Sequence, residues 1–258
     1  MTISTTGPLK LSDINTELGN TANQQFSISQ ARLLADKPTG PISYSDLRGK
    51  SLFQPQEFRA SASYTITGSV QNLKVLAVGS GAGGGIGVGA GGGGAGRVFT
   101  TATFAVQTGD VIVISIGVGG AAGARGTNTT VHNNRTGQTI TAVSGYAGGA
   151  KVGSTGGAGG ISIAPNSTTI YGAAGSPTGA GAGGSGASGQ GSPGSGSTGG
   201  AGSSPYTVQI NSTMTYYLSA GGAGNNTGIS TGIAGAANSG NGGDGNAQGG
   251  SGFAVLYA

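Results

Sequence analysis

The stretch NLKVLAVGSGAGGG, residues 72–85, joins an apolar strand directly to a glycine tract. Gly79, Gly81 and Gly84 have the G-x-G-x-x-G spacing of a dinucleotide-binding loop, which works only when a helix follows, because the free N–H groups of that helix bind the pyrophosphate. The chain instead continues as GGIGVGAGGGGAG, residues 84–96, and each glycine disfavours a helix by about 1 kcal/mol relative to alanine. No acidic residue for a ribose follows at the expected distance. The stretch therefore predicts a strand that opens into an extended glycine tract, not a nucleotide site.

The same unit, an apolar strand that runs into glycine, recurs through the chain. Its copies begin at residues 73, 111, 139, 168 and 215. The spacing between copies is irregular, whereas the turns of a solenoid have a fixed length. We therefore expect one compact domain whose loops vary in length.

Within the tracts, glycines recur with a period of three. The runs are Gly81, Gly84 and Gly87; Gly153, Gly156 and Gly159; Gly183, Gly186 and Gly189; Gly196, Gly199 and Gly202; and the pairs Gly240 and Gly243, Gly249 and Gly252. Three is the polyproline II period, and such a helix satisfies none of its own backbone groups. Close-packed neighbouring helices would satisfy them, and only residues without Cβ allow that approach. The pattern predicts short polyproline II helices that pack side by side, with these glycines facing neighbouring backbones.

Composition excludes several other classes of protein. The chain has 59 glycines and 8 prolines in 258 residues, which is close to the level of disordered chains, but only 7% of residues are charged and strand-like runs recur. The net charge of +4 is scattered, which argues against nucleic-acid binding.

A membrane-spanning glycine zipper is a further alternative, because residues 75–96 are uncharged and contain G-x-x-x-G repeats. The later tract 184–200, however, has serine in place of apolar residues. We expect no membrane insertion and, without an apolar leader, no signal peptide.

The first 60 residues differ from the rest, because they are poor in glycine and hold most of the charges. They predict a small helical segment with too little apolar surface to fold alone. N-caps are predicted at Ser12, Ser27 and Ser43, with Gln30 and Asp46 completing capping boxes and helix ends at Gly19, Pro38 and Gly49.

Catalysis has little support in the sequence. After Lys151 the only charged side chain is Asp244, so the last 107 residues hold no pair of carboxylates for acid–base chemistry. His132 is the only histidine, and the chain has no cysteine. We therefore expect a protein that is not an enzyme and has no metal and no cofactor.

From about residue 62 to the C-terminus the chain resembles the glycine-rich domains of bacteriophage tail-fibre proteins. The resemblance is carried by LKVLAVGSGAGGG, GDVIVISIGVGGAAG, the glycine tracts and the terminal GGSGFAVLYA. This part of the chain is similar in kind to the tip adhesins of T-even-type phages, which fold as a sandwich of polyproline II helices. LSDINTELG and GPISYSDLRGKS in the first 50 residues resemble N-terminal segments of other phage virion proteins. Those tip adhesins begin with a tryptophan-containing attachment segment, and this chain has no tryptophan.

The resemblance implies a mostly β and polyproline II fold with two parts. Residues 1–58 would form a helical segment that attaches to other virion proteins, and residues 59–258 a glycine-rich sandwich with short β-strands and hairpins. The protein would be made in the host cytoplasm, assemble into the phage tail fibre, and bind a host surface protein or glycan through loops between glycine tracts. The oligomeric state is left open.

The receptor-binding residues predicted from the sequence lie in three polar segments, 127–139, 164–171 and 203–217, whose side chains suit adaptable binding loops. They are Asn128, His132, Asn133, Asn134, Arg135, Asn166, Tyr171, Tyr206, Asn211, Tyr216 and Tyr217. Two alternatives stay open: a structural head-fibre or decoration protein of the virion without receptor binding, and an ice-binding polyproline II bundle.

Overall fold

We analysed a computed structural model of the chain. The structure describes residues 3, 10–18, 21, 25–35, 39–47, 55–67, 70–165, 167–210, 214–229 and 231–258.

The described residues of the N-terminal part contain three short helices: α1 (Leu11–Glu17), α2 (Ile28–Ala35) and α3 (Tyr44–Leu47). They share a small apolar cluster of their own. Its buried members are Ile3, Ile14, Leu34, Ala35 and Leu47.

Of the three N-terminal caps predicted for these helices, one is confirmed, one is confirmed in part and one is wrong. The box at α2 is confirmed, because the Ser27 N–H donates to Gln30 Oε1 (2.8 Å) and the Gln30 N–H donates to Ser27 Oγ (3.1 Å). At α3 only half of the box forms: Asp46 accepts the Ser43 N–H, while the Asp46 N–H bonds to the Ser43 carbonyl. The Ser12 cap is wrong, because α1 starts one residue before Ser12 and its N-cap is the extended Lys10. Gly19, Pro38 and Gly49 lie outside the described residues.

Two four-stranded antiparallel sheets form the β part of the glycine-rich domain. The first has the order β1 (Gln56–Phe58), β12 (Phe253–Tyr257), β3 (Asn72–Val78), β4 (Val98–Ala105). The second has the order β2 (Ala62–Thr65), β5 (Val111–Ser115), β6 (Thr129–Asn133), β7 (Thr139–Ala142). Two hairpins complete the set: β8 (Ser162–Ile163) with β9 (Thr169–Ile170), and β10 (Tyr206–Gln209) with β11 (Thr215–Leu218). Each of the five strand-to-glycine units predicted from the sequence contains a strand, which confirms a mostly β fold.

The two sheets face each other across the main apolar core. Alternate residues of β3 point to opposite sides, so Leu73 and Val75 pack against Ile112 and Val131 of the second sheet. Leu76 and Val78 face the other way and pack against the hairpin β10–β11. Both faces of β3 are therefore buried, which explains its nearly continuous apolar sequence.

The glycine tracts extend from these strands and bond to one another. All N–H groups from 91 to 97 donate to backbone carbonyls of other tracts, and the acceptors repeat with a period of three. The first, fourth and seventh N–H bond to tract 143–149, the second and fifth to tract 182–185, and the third and sixth to tract 240–243. One tract thus has three hydrogen-bonded neighbours, and no helix occurs in it.

The predicted close approach of glycines to backbones is found at two of the three glycines of the first run. An ideal Cβ at Gly81 would lie 1.8 Å from the Asn241 carbonyl oxygen, and one at Gly84 would lie 2.0 Å from that of Asp244. Gly87 is different: nothing lies within 4 Å of its Cβ position, and its φ of +104° places it in a turn. The glycine period therefore continues from a packed tract into the turn that ends it.

Candidate functional site

The turns between glycine tracts collect at one end of the domain, away from the sheets. Tract 91–97 is antiparallel to 143–149 and 240–243 and parallel to 182–185. The turn before residue 91 must therefore lie beside the turns that follow 143–149 and 240–243 and beside the turn that precedes 182–185. We define the tip surface as the turns at 86–89, 122–124, 153–154, 177–179, 196–197, 227–228 and 245–247.

Direct contacts join these turns into one surface. The Asn246 amide brackets Gly87: its Nδ2 donates to the Gly87 carbonyl at 2.7 Å, and its Oδ1 accepts the Gly87 N–H at 2.6 Å. The Thr178 hydroxyl donates to the Gly196 carbonyl, and the Thr227 N–H donates to Ser197. The turns at 86–89, 177–179, 196–197, 227–228 and 245–247 are thereby held by a neighbouring turn as well as by their own tracts.

Aliphatic side chains are exposed on and beside the tip surface. Their exposed fractions are 61% for Ile86, 40% for Val88, 77% for Val152, 41% for Ile229 and 77% for Ile233. Several exposed aliphatic side chains at one end of a domain make that end a candidate interaction surface. Among the described residues, these five are most of the glycine-rich domain's exposed large aliphatic side chains.

The binding residues predicted from the sequence that the structure describes lie at the opposite end, which we call the base. The hairpins β6–β7, β8–β9 and β10–β11 each begin and end where tracts meet the sheets. The segments predicted as loops are largely β-hairpins: His132 and Asn133 lie on β6, and Tyr206, Tyr216 and Tyr217 lie on β10 and β11. The tracts separate these hairpins from the tip surface.

Two of the predicted residues stabilise the β6–β7 turn. Asn133 is buried, and its Oδ1 accepts the Arg135 N–H at 3.0 Å. Arg135 Nε lies 2.7 Å from Oδ1 of buried Asp110. The hydrogen bond from Arg135 holds the pKa of Asp110 below its ordinary value, and burial opposes that shift only in part. Sequence reasoning missed Asp110, because a single acidic residue in a turn carries no pattern.

The tyrosines of the base divide into two kinds. Tyr206 and Tyr216 pack on the apolar cluster that contains Leu76 and Val78. The Tyr216 hydroxyl donates to Glu57 Oε1 at 2.6 Å. Burial, followed by the bond to Glu57, raises the pKa of Tyr216. Tyr171 and Tyr217 are exposed.

The remaining predicted residues are dispersed over the base. His132 lies on β6 with Nδ1 2.8 Å from the Thr139 hydroxyl, and exposed Asn128 accepts the Ser144 N–H at 3.0 Å. Asn134 is exposed beside the β6–β7 turn. Asn166 and Asn211 lie outside the described residues.

Within the part of the chain that the structure describes, no three His, Cys, Asp or Glu side chains come together as metal ligands. The helices found there are all too short and too polar to cross a membrane.

A cavity of about 290 Å³ opens beside the tip surface. Its lining residues are Gly224, Asn225, Asn226, Ile229, Thr231, Gly232, Ile233 and Asp244. Sequence reasoning noted Asp244 only as an isolated charge and gave it no role. The lining residues fall within 224–233 and at 244, where the sequence has no pattern that indicates a cavity.

The comparisons with known proteins give one result. Residues 57–258 match the family model described as a glycine-rich domain. Among curated proteins and among solved structures, nothing matches. The match begins within strand β1 and ends with the last residue, so it spans both sheets, both hairpins and every glycine tract. On that match the chain belongs to the glycine-rich domain family.

Proposed function

We propose that this protein is a bacteriophage tail-fibre tip protein that attaches to the virion through residues 1–58 and binds a host cell-surface receptor through its tip surface. In this proposal the protein is not an enzyme, and its partners are virion proteins at one end and a host surface protein or glycan at the other. It is made in the host cytoplasm and functions on the virion.

We further propose that the glycine tracts are polyproline II helices packed as a sandwich. The support is the three-residue period of the hydrogen bonds from 91–97, since a helix with three residues per turn directs successive N–H groups to three sides. The Cβ positions of Gly81 and Gly84, which fall inside neighbouring carbonyl groups, fit the same packing. Such a scaffold would hold the turns rigidly, and binding would then cost little ordering entropy.

The observation that carries the proposal is the exposed aliphatic tip on a hydrogen-bonded scaffold. Ile86, Val88 and Val152 are exposed at turns whose backbones are fixed by the neighbouring tracts. At the base, by contrast, Asn133, Arg135 and Tyr216 are already engaged inside the domain. We therefore assign receptor binding to the turns between tracts, in place of the polar hairpins.

The proposal is tested by measuring how the fluorescently labelled full-length protein binds to a panel of bacterial strains. The double variant Ile86→Ser, Val152→Ser should bind at least about tenfold more weakly, because it lacks two aliphatic side chains that receptor binding would bury. The matched control is Tyr217→Ser, which removes a side chain that is 67% exposed at the base, and it should bind as the wild type does.

Two results would count against this assignment. Weaker binding by Tyr217→Ser with normal binding by the double variant would indicate that the hairpins of the base bind the receptor. Absence of binding to every strain would favour the structural virion protein without receptor binding.

A further inference from the structure

The cavity beside the tip surface combines one carboxylate with aliphatic walls. Asp244 lies on its lining together with Ile229 and Ile233, the latter 77% exposed. Its volume of about 290 Å³ is at the small end of the range for ligand pockets. It is large enough for one long side chain or one small molecule, but not for a folded segment.

The carboxylate is held in place by backbone groups. Asp244 Oδ1 accepts the Ala223 N–H at 2.7 Å, and Oδ2 accepts the Ile233 N–H at 3.2 Å. These two bonds use one acceptor position on each oxygen, so each oxygen keeps further capacity to accept. The carboxylate is thus oriented before any ligand arrives.

No cation among the described residues forms an ion pair with Asp244. Asp244 is the only charged residue from 152 to 258. Among the described residues, the recorded ion pairs are Arg59 with Glu57 and Arg135 with Asp110, and neither involves Asp244. The cavity therefore presents one negative charge, which no ion pair recorded among the described residues neutralises.

We propose that this cavity binds a lysine or arginine side chain from the surface of a protein partner. Such a side chain has an apolar stem and a cationic head: the stem would pack on Ile229 and Ile233, and the head would bond to Asp244. An anionic ligand would be repelled, and an apolar one would displace water from the carboxylate without offering a donor to its remaining acceptor positions. The inference rests on the proposed function and makes it more specific, because it selects a basic protein surface as the receptor feature.

The test is an NMR titration of the ¹⁵N-labelled full-length protein with Nα-acetyl-lysine methylamide. The control ligand is Nα-acetyl-norleucine methylamide, which has a similar apolar stem and no charge. We expect the lysine compound to shift the backbone N–H signals of Asn225, Asn226 and Gly232 with a millimolar Kd, and the norleucine compound to bind at least fivefold more weakly. The lysine affinity should also fall in 0.5 M NaCl, because the contact is electrostatic.

Two variants keep the test independent of folding. Asp244→Asn should weaken lysine binding at least fivefold, but it also replaces an acceptor of backbone N–H groups. Ile233→Lys leaves Asp244 intact and places an ammonium group of the chain itself at the exposed cavity wall, so it should abolish binding of the added lysine compound.

Equal binding of the two compounds, or unchanged lysine binding by Ile233→Lys, would overturn the proposal. Glucose serves as a further probe: shifts at the same N–H signals with glucose but not with lysine would identify a glycan site instead. If the wild type binds cells but not the lysine compound, the inference fails and the proposed function stands.

Discussion

The replacement Gly84→Ala tests the close packing of the tracts with a single methyl group. The new Cβ would lie 2.0 Å from the Asp244 carbonyl oxygen, where ordinary contact requires roughly 3.5 Å. The two tracts must therefore separate by about 1.5 Å. The Gly84 N–H, which donates to the Ala247 carbonyl at 3.0 Å, would then lose its hydrogen bond.

The cost can be estimated from these contacts. Overpacking of this kind costs about 1–3 kcal/mol, and a lost buried hydrogen bond adds about 1 kcal/mol. Replacing glycine also reduces the entropy of the unfolded chain, which offsets about 0.5–1 kcal/mol. The net loss in the free energy of unfolding is therefore about 1–3.5 kcal/mol, which corresponds to a Tm lower by roughly 2–14 °C for a domain of this size.

Thermal unfolding followed by calorimetry measures the effect. Ala174→Val is the matched control, because it adds two methyl groups to a glycine tract at an exposed position, and its Tm should change by less than about 2 °C. A cooperative transition of Gly84→Ala at the wild-type Tm would refute the close packing of the tracts. An equal loss in both variants would show that glycine tracts resist any added bulk, whichever way it points.

Three further predictions concern single contacts. Arg135→Ala should lower stability near neutral pH and make stability less dependent on pH in the acid range. The reason is that the depressed pKa of Asp110 stabilises the fold above the pKa of the unfolded chain, and this contribution disappears as pH falls below about 4. Urea unfolding from pH 3 to 7 measures both effects. The raised pKa of Tyr216 gives the opposite slope, so the wild type should lose stability as pH rises above about 10. Tyr216→Phe, which also lacks the bond to Glu57, should lose less over that range, and urea unfolding at alkaline pH measures the difference. Asn246→Ala removes both amide hydrogen bonds to the neighbouring tip turn, so amide hydrogen exchange in that turn should accelerate at least tenfold while the Tm falls only a few degrees.

Local patterns in the sequence predicted local structure well. Apolar runs such as LKVLAV give β3 because their alternate residues fill two cores. The Ser27 capping box forms because its partners are three residues apart in one helix turn. The Ser12 cap failed although the same residue type was present, because the N-cap fell on Lys10 and the hydroxyl of Ser12 bonds to Asp13.

Long-range arrangement was harder to predict. The period of three identified Gly84 as a packed glycine but could not tell it from Gly87, whose turn is visible only through its positive φ. Polar composition selected the hairpins as binding loops, yet side chains such as Arg135 are polar because they hold those hairpins together. The cavity at Asp244 forms where 224–233 folds against position 244, and no local sequence pattern records that contact.

The most direct test of the account is to find the tip surface on an intact virion. The chain has no cysteine, so Val152→Cys gives a unique site for a gold label on an exposed turn of the tip surface. Electron microscopy of labelled virions adsorbed to host cells should place the gold at the outer end of a tail fibre, against the cell surface. Gold on the capsid, or on a fibre but buried at its junction with the particle, would contradict the account.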